Sequence, residues 1–546
     1  MKIFTFALIA LVAASAHAQT AARCAGARDL RLVNGKISTL DKKNTIVTEV
    51  TIQDGVFTAV GKGSGRLSPC TRTIDLKGRT VVPGLIDNHN HIVLLGLRPG
   101  YDTRLETAAS IADVQVIIKA RAKTVPAGGF ITAMGGWNFA QFAEKRMPTL
   151  AELDAADADH PVIAFHSFTG PAAVNTKAKG FFAGKNIAVS DTGAIAINGP
   201  SLAALNALRA VQTLADQTRG TMDALAYSAS VGVTLNVDMG AFIPPGLPDT
   251  QDSFAADTLA TFSPFTMYNA IALVHRDGKV KMPARVRLYF LSMDTRPDVP
   301  MLKQRLQNNF NNFGDDMLRL SGVGEFATSW PLFGNAPPTN YEAALQLVAK
   351  QGWAFQQHSL SPAEDKLTIE TFEAVNKTTP IAGLHWSIAH APRIDAPTIA
   401  RFKALGAGIA IHPFTYLAGQ PGAGPPVKTI LDSGIHAGAG SDAAQISTIN
   451  PWLMIYFMVT GKNSSGTLIN PGQTISRMDA LRLYTAENGW FIHEENKVGT
   501  IEAGKLADLV VLSGDYFDAA RVSDEGIKTL KSVLTVVDGT VVYEER

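Results

Sequence analysis

Four histidines and one aspartate stand at matching places along the chain, each at or just past the end of a short apolar run. His89 and His91 close the run Pro83-Gly84-Leu85-Ile86-Asp87-Asn88 as a His-x-His pair. Alternation along a strand sends both side chains to one side, and two converging imidazoles can grip one divalent metal. His358 follows Trp353–Gln357, His390 follows Leu384–Ala389, and Asp442 follows Ile435–Gly440. Taken singly, His358 or His390 reads as a hydrogen-bonded core histidine. It is their joint placement that points to a metal site.

That placement needs elements that bring distant segments to one end of the molecule. Between about Gly84 and His493 eight apolar runs alternate with amphipathic stretches such as Tyr341–Lys350 and Thr398–Leu405. The runs are Val81–Ile86, Val231–Val237, Val286–Leu291, Leu318–Val323, Trp353–Gln357, Leu384–Ala389, Gly408–Ile411 and Ile435–Gly438. Eight strands separated by helices predict an α/β fold built on a (β/α)8 TIM barrel, whose catalytic groups sit at the C-terminal ends of the strands. An open doubly wound sheet is the structural alternative, but no glycine-rich phosphate loop follows the first strand. The two chain ends are β-like, with turn signals at Asn34-Gly35, Asp54-Gly55 and Asp538-Gly539. They predict one small β domain made from 19–83 and 495–546, around a barrel of 84–494. A long insertion, about 94–230, separates the first two barrel strands and should cover the active face.

Composition agrees with a small-molecule enzyme. With 49 Lys+Arg against 48 Asp+Glu there is no basic surplus for nucleic acid. Charged residues at 18% and hydrophobic ones at 46% describe a large globule with a large core. Lys2, the apolar run Ile3–Ala14 and Ala16-His17-Ala18 read as a Sec-type signal peptide, residues 1–18, cleaved after Ala18. The expected location is therefore periplasmic or secreted. No later run is long enough to predict a membrane span, and a homo-oligomer is left open. Export makes a disulfide between Cys24 and Cys70 chemically feasible, and the sequence leaves it undecided.

The motifs together resemble the amidohydrolase superfamily, and within it amidohydrolase family 3, the branch of YtcJ-like and N-substituted formamide deformylase-like proteins. The resemblance rests on Val81-Val82-Pro83-Gly84-Leu85-Ile86-Asp87 before the His pair, Gly136-Trp137, Gly440-Ser441-Asp442, and Gly499-Thr500-Ile501-Glu502-Ala503-Gly504-Lys505-Leu506-Ala507-Asp508-Leu509. It implies a distorted metal-dependent barrel with a β-sandwich formed by both ends. It also implies one or two divalent ions, zinc first, held by His89, His91 and Asp442 with His358 and His390 at a second position or on the substrate. A metal-activated hydroxide would attack the carbonyl, and Asp442 and His390 would be the catalytic groups, Asp442 carrying the proton to the leaving nitrogen.

Two departures from the family pattern stand out. Many relatives bridge their metals with a carboxylated lysine on the fourth strand, whereas this chain has no lysine between Lys303 and Lys350. Glu325 is the nearest carboxylate and is expected to bridge instead. Relatives often carry a Gly-His pair in the insertion where this chain reads Gly170-Pro171, and His166 is the expected substitute. Trp137, Phe139, Trp330, Phe333 and Trp386 are candidate pocket aromatics, with Trp137, His166 and Trp330 taken as substrate contacts. His160, His275, His412, His436 and His493 are expected to be structural. The resulting expectation is an exported hydrolase of a small N-acyl or N-formyl compound. An ester, lactone or carbamate hydrolase and a non-catalytic periplasmic binder are the alternatives.

Overall fold

The apolar runs of the middle of the chain pair side by side in sequence order. In the computed structural model, which describes residues 24–63, 67–242, 258–264, 266–278, 281–330, 337–417, 419–443 and 446–545, eight strands form one sheet. They are β1 (Leu85–Asn90), β2 (Val233–Asp238), β3 (Arg285–Phe290), β4 (Leu318–Glu325), β5 (Ala354–Ser359), β6 (Ser387–His390), β7 (Gly408–Ile411) and β8 (His436–Ala439). Every neighbouring pair is parallel and the strands neighbour one another in chain order with no reversal, so the sheet is a nearly closed barrel rather than a doubly wound one. The leader expected at 1–18 lies outside the described residues.

One predicted strand is divided. Val81–Ile86 breaks at Gly84, where a Cβ would collide with the side chain of Thr234. Thr80–Pro83 joins a terminal sheet, and β1 starts one residue later. The other boundaries move by up to three residues, and β4, β5 and β6 extend far enough to include residues expected just beyond them. Register explains this, because Glu325 still pairs with Gln357, His358 with Ala389 and Ser359 with His390.

Several of the helices that follow the strands cover the barrel with one apolar face, while Pro451–Thr460 is buried on all sides. Pro338–Lys350 buries Tyr341, Ala344, Leu345 and Val348, the spacing of a helix stripe. Pro362–Thr378 and Ala396–Ala404 start on Ser361 and Asp395, whose side chains accept the backbone N–H of Glu364 and Thr398. Trp386 belongs to this packing, edge-on to Phe372 at 4.9 Å and fully buried, so it is a core residue and not the pocket aromatic expected from sequence.

No strand ladder joins β1 to β8, and side chains close that seam. Asn488 donates to the carbonyls of Ile86 on β1 and Ala439 on β8 at 2.5 and 2.8 Å, and its oxygen accepts from Asn88 at 2.9 Å. Higher up, Asp87 accepts the backbone N–H of Ser441 at 2.9 Å and its hydroxyl at 2.5 Å. The backbone N–H of Asp442 reaches the His89 carbonyl at 2.8 Å. Gly440 lies so close that a Cβ would stand 2.7 Å from the His89 nitrogen.

Both chain ends build two sheets around a shared core. A four-stranded sheet comes from the N-terminal end, and a six-stranded sheet takes Thr80–Pro83, Lys36–Ser38 and Ile46–Val47 from one end and Leu509–Leu512, Ser532–Val537 and Thr540–Glu544 from the other. Leu32, Ile52, Phe57, Val81, Leu509 and Val536 fill the space between them. Cys24 and Cys70 form a disulfide, with Cα atoms 5.3 Å apart. Arg285 of β3 holds Asp508 through paired contacts of 2.8 and 2.9 Å and ties this unit to the barrel. The insertion carries a five-stranded sheet of its own, with Ile131–Met134 and Val162–Phe165 at its middle.

Asn488→Ala should remove both seam contacts and leave two buried carbonyls unpaired, at a cost of about 3 kcal/mol or more. A lower urea midpoint, with activity falling in parallel because His89 and Asp442 face each other across the seam, is the expected result.

Candidate metal centre

The sequence-predicted donors converge at the C-terminal end of the barrel. His89 lies within β1 and His91 one residue past it, Glu325 ends β4, His358 lies in β5, His390 ends β6, and Asp442 follows β8. All six are buried, none more than 7% exposed. His390 and Asp442 leave their strands with φ of 67° and 54°, left-handed conformations that cost about 1–3 kcal/mol each in a non-glycine residue and are kept where a site demands them.

Two groups of donors meet at Glu325. In the first, His89 Nε2 stands 3.7 Å from Glu325 and 3.6 Å from Asp442, and His91 Nε2 stands 3.7 Å from Glu325 and 3.4 Å from Asp442. These separations are too long for hydrogen bonds. They are close to the distance of about 3.4 Å between donors that each lie about 2.1 Å from a tetrahedral zinc. His89 Nε2 is buried and has no hydrogen-bond partner among the described residues, as a nitrogen awaiting a cation would be. In the second group, His358 Nδ1 is 2.6 Å from Glu325 Oε2, and His390 Nε2 is 3.4 Å from the same oxygen and 2.9 Å from His358 Nδ1. Donor types fit a divalent ion in each group; the separations in the first are those of ligands around one ion, those in the second are drawn in to hydrogen-bond distances, and Glu325 lies within 4 Å of histidines of both.

The imidazoles are held from behind. His89 Nδ1 donates to Gln356 Oε1, and His91 Nδ1 donates to the Gly240 carbonyl at 2.7 Å, which directs each Nε2 at the carboxylates. Asp238 orders that support by accepting from the backbone of Val93 and Gly240 at 2.9 and 3.0 Å. Burial pushes the Asp238 carboxyl up to about 6, against the pull of those N–H groups and of His91.

Charge decides which protons remain. Burial works against ionisation of Asp442 and Glu325, but the surrounding imidazoles hold both carboxyls well below the usual range. Burial would lower His91, yet Asp442 and Glu325 raise it to about 9, whereas burial and the charge of His358 push His390 down to about 4. A region that collects cationic charge from its own side chains is one suited to a metal cation.

His412, expected to be structural, lies inside this cluster. It follows β7, is 1% exposed, and approaches His390 Nδ1 with its own Nδ1 at 2.8 Å. Its position just after Ile411 was the available signal, the same strand-end position as the other donors. The remaining histidines lie elsewhere: His160 bonds Asp157 and the Val125 carbonyl, His275 pairs with Asp315, and His436 and His493 belong to a ring stack with His385 and Trp490.

A cavity of about 290 Å³ adjoins the cluster and is lined by Trp137, Asn138, His166, Phe414, Leu417 and Ile446, among others. Phe414 forms both its wall and a contact with His390, ring centroids 5.7 Å apart. Trp137 and His166 come from the insertion, which thus supplies part of the wall of this cavity, and Phe139 rests on His166 at 5.0 Å. Trp137 Nε1 is buried without a hydrogen-bond partner. No described residue lining the cavity has a carboxylate, ammonium or guanidinium group, and burial lowers His166 toward its neutral form. Trp330 does not line this cavity; it packs on Tyr341, ring centroids 5.2 Å apart. Phe333 lies outside the described residues.

Comparison with known proteins follows the same lines. The model of the amidohydrolase family matches residues 72–543. The chain belongs to the amidohydrolase family. It is 22% identical to the N-substituted formamide deformylase of Arthrobacter pascens over 95% of this chain and 98% of that one. It is 24% identical to YtcJ of Bacillus subtilis (strain 168) over 94% of this chain and 98% of that one. Among solved structures, an uncharacterized metal-dependent hydrolase from Pyrococcus furiosus superposes with a TM-score of 0.57 at 20% identity, covering 90% of this chain and all of the other.

Glu325→Gln removes the charge common to both donor groups. Zinc affinity, measured by competition with a chelator, should fall more than about tenfold for at least one ion.

Proposed function

We propose that this amidohydrolase-family protein is an exported, metal-dependent hydrolase that cleaves the C–N bond of a small, uncharged N-acyl or N-formyl compound. The observation that carries the reading is the pair of buried donor groups sharing Glu325, with the Asp442 carboxylate beside them and an uncharged cavity alongside. A divalent ion bound there, zinc by the choice of N and O donors, would polarise the carbonyl and make water acidic enough to attack near neutral pH.

The protein's own groups account for the rest. Asp442, ionised in its ring of imidazoles, can accept a proton from the attacking water as the C–O bond forms. It can return that proton to the nitrogen as the C–N bond breaks, so that the products are a carboxylic acid and an amine. His390 stands 3.6 Å from Asp442 Oδ2, too far for a hydrogen bond, so that oxygen is free to take up the proton. Trp137 Nε1 offers an otherwise unpaired donor to a neutral oxygen of the substrate. A passive binder would need neither the proton-carrying carboxylate nor its placement at the metal groups.

Export is supported by residues 1–18 and by the Cys24–Cys70 disulfide, which suits an oxidising compartment.

Two measurements test the reading. Asp442→Asn should lower kcat by about 10²–10⁴, the usual worth of a general acid–base. N-alkyl and N-aryl formamides should also be hydrolysed with kcat/KM at least about tenfold above N-formyl amino acids, since an unpaired carboxylate in that cavity would cost more than 1.4 kcal/mol. Full activity in the Asn variant, or no turnover of any acyl compound by metal-loaded protein, would count against hydrolysis itself.

A further inference from the structure

Three histidines of the cluster present one ring nitrogen to the carboxylates or to another imidazole and turn the other away. For His89 the averted nitrogen meets Gln356 Oε1, and for His91 the Gly240 carbonyl. His390 also needs an acceptor at Nδ1, because Nε2 is the atom directed at Glu325 and His358, at 3.4 and 2.9 Å. Asp442 Oδ2 is 3.6 Å away, beyond hydrogen-bond reach. His412 Nδ1 is 2.8 Å away.

We infer that His412 is the positioning residue for His390: its Nδ1 accepts the Nδ1–H of His390, fixes that ring with Nε2 toward the second donor group, and leaves Asp442 free of that task. This inference rests on the proposed metal-dependent function. The tautomers follow from proton counting. A ligating Nε2 on His390 is unprotonated, so its proton is on Nδ1, and the acceptor His412 must then carry its own proton on Nε2. That Nε2 is buried and has no hydrogen-bond partner among the described residues. The His412 ring is kept in place by contact with the His89 ring, centroids 4.2 Å apart, so one imidazole touches a histidine of each donor group.

The arrangement is unusual in using a second imidazole as the acceptor. A carboxylate there would place a third negative charge beside Glu325 and Asp442. A neutral imidazole offers a lone pair without adding charge, and it keeps the barrel interior filled at the end of β7.

The experiment compares His412→Ala with His412→Asn. Asparagine Oδ1 occupies nearly the position of histidine Nδ1 and can accept the same hydrogen, whereas alanine cannot. Zinc affinities are measured by chelator competition on the full mature protein, with far-UV circular dichroism as a check on folding. Losing the support of a ligand histidine typically weakens metal binding about 10–100-fold. His412→Ala should therefore release the more weakly held zinc at 10–100-fold lower chelator concentration, and His412→Asn should restore affinity to within a few-fold of wild type. Cobalt-substituted protein gives a second readout, in which the d–d spectrum of the Ala variant shifts and that of the Asn variant matches wild type. An Ala variant that holds its zinc as tightly as wild type overturns the role of His412. So does an Asn variant as impaired as the Ala variant, which would mean that ring packing alone matters. Failure of the wild-type protein to bind any divalent ion would instead overturn the metal reading itself.

Discussion

Glu325 and Asp442 lie in the barrel interior surrounded by five imidazoles, and ionised carboxylates survive such burial only when opposite charge or hydrogen-bond donors offset the lost water. Everything near them serves that condition. His89, His91, His358 and His390 come from three strands and their ends, and each stands within 4 Å of at least one of the two carboxylates. Metal binding fits the same requirement, since a divalent ion supplies the compensating charge and displaces the protons now shared among the rings. The site is thus a balance of charge first and a catalyst second. The chemistry follows because Asp442 brings a second carboxylate to the centre beside Glu325.

Such a balance requires donors fixed to fractions of an ångström, and the barrel's weakest point lies between two of them. His89 is on the first strand and Asp442 follows the last, which the ladder does not join. Asn488, Asp87 and the close approach at Gly440 replace the missing hydrogen bonds, and Tyr484 adds its hydroxyl to the Gly440 carbonyl at 3.0 Å. The segment that carries Tyr484 and Asn488 leads directly to Glu494, which Arg287 holds at 2.8 and 2.9 Å, and then to the terminal sheets. A change in the terminal unit can therefore reach the seam through a short run of chain, which gives that unit a part in the geometry of the centre.

Much of this was legible from residue types alone. Apolar runs and turn residues revealed the eight strands, and the strand-end histidines with Asp442 revealed the end at which they meet. The strand limits were less legible, because β4 to β6 continue by neighbour pairing through Glu325, His358 and His390, polar residues that a single sequence reads as loop. His412 was missed for a related reason: a lone histidine on an apolar strand resembles a core residue until the ring beside it is known. Trp386 was misread in the opposite sense, as nothing in its own neighbourhood distinguishes a tryptophan lining a cavity from one packed between helices. The seam was out of reach, since Asn488 acts across some 400 positions of sequence and no local pattern records it.

The division of labour between barrel and insertion bears on specificity. The donors belong to strands whose register is set by both neighbours, so a change there alters the centre itself. The cavity wall instead comes from the insertion, through Trp137 and His166, and from the segment after β7, through Phe414 and Leu417. The insertion has its own buried clusters on both sides of its sheet, among them Ile118, Trp137 and Phe142 on one and Phe165, Phe182 and Leu205 on the other. It can accept new cavity residues without disturbing the barrel register. The proline at 171 illustrates this: its carbonyl accepts the backbone N–H of His166 at 2.9 Å, so that segment helps to place His166 in the cavity wall. The metal chemistry can therefore be held in common with relatives while the acyl or amine group that fits beside it differs.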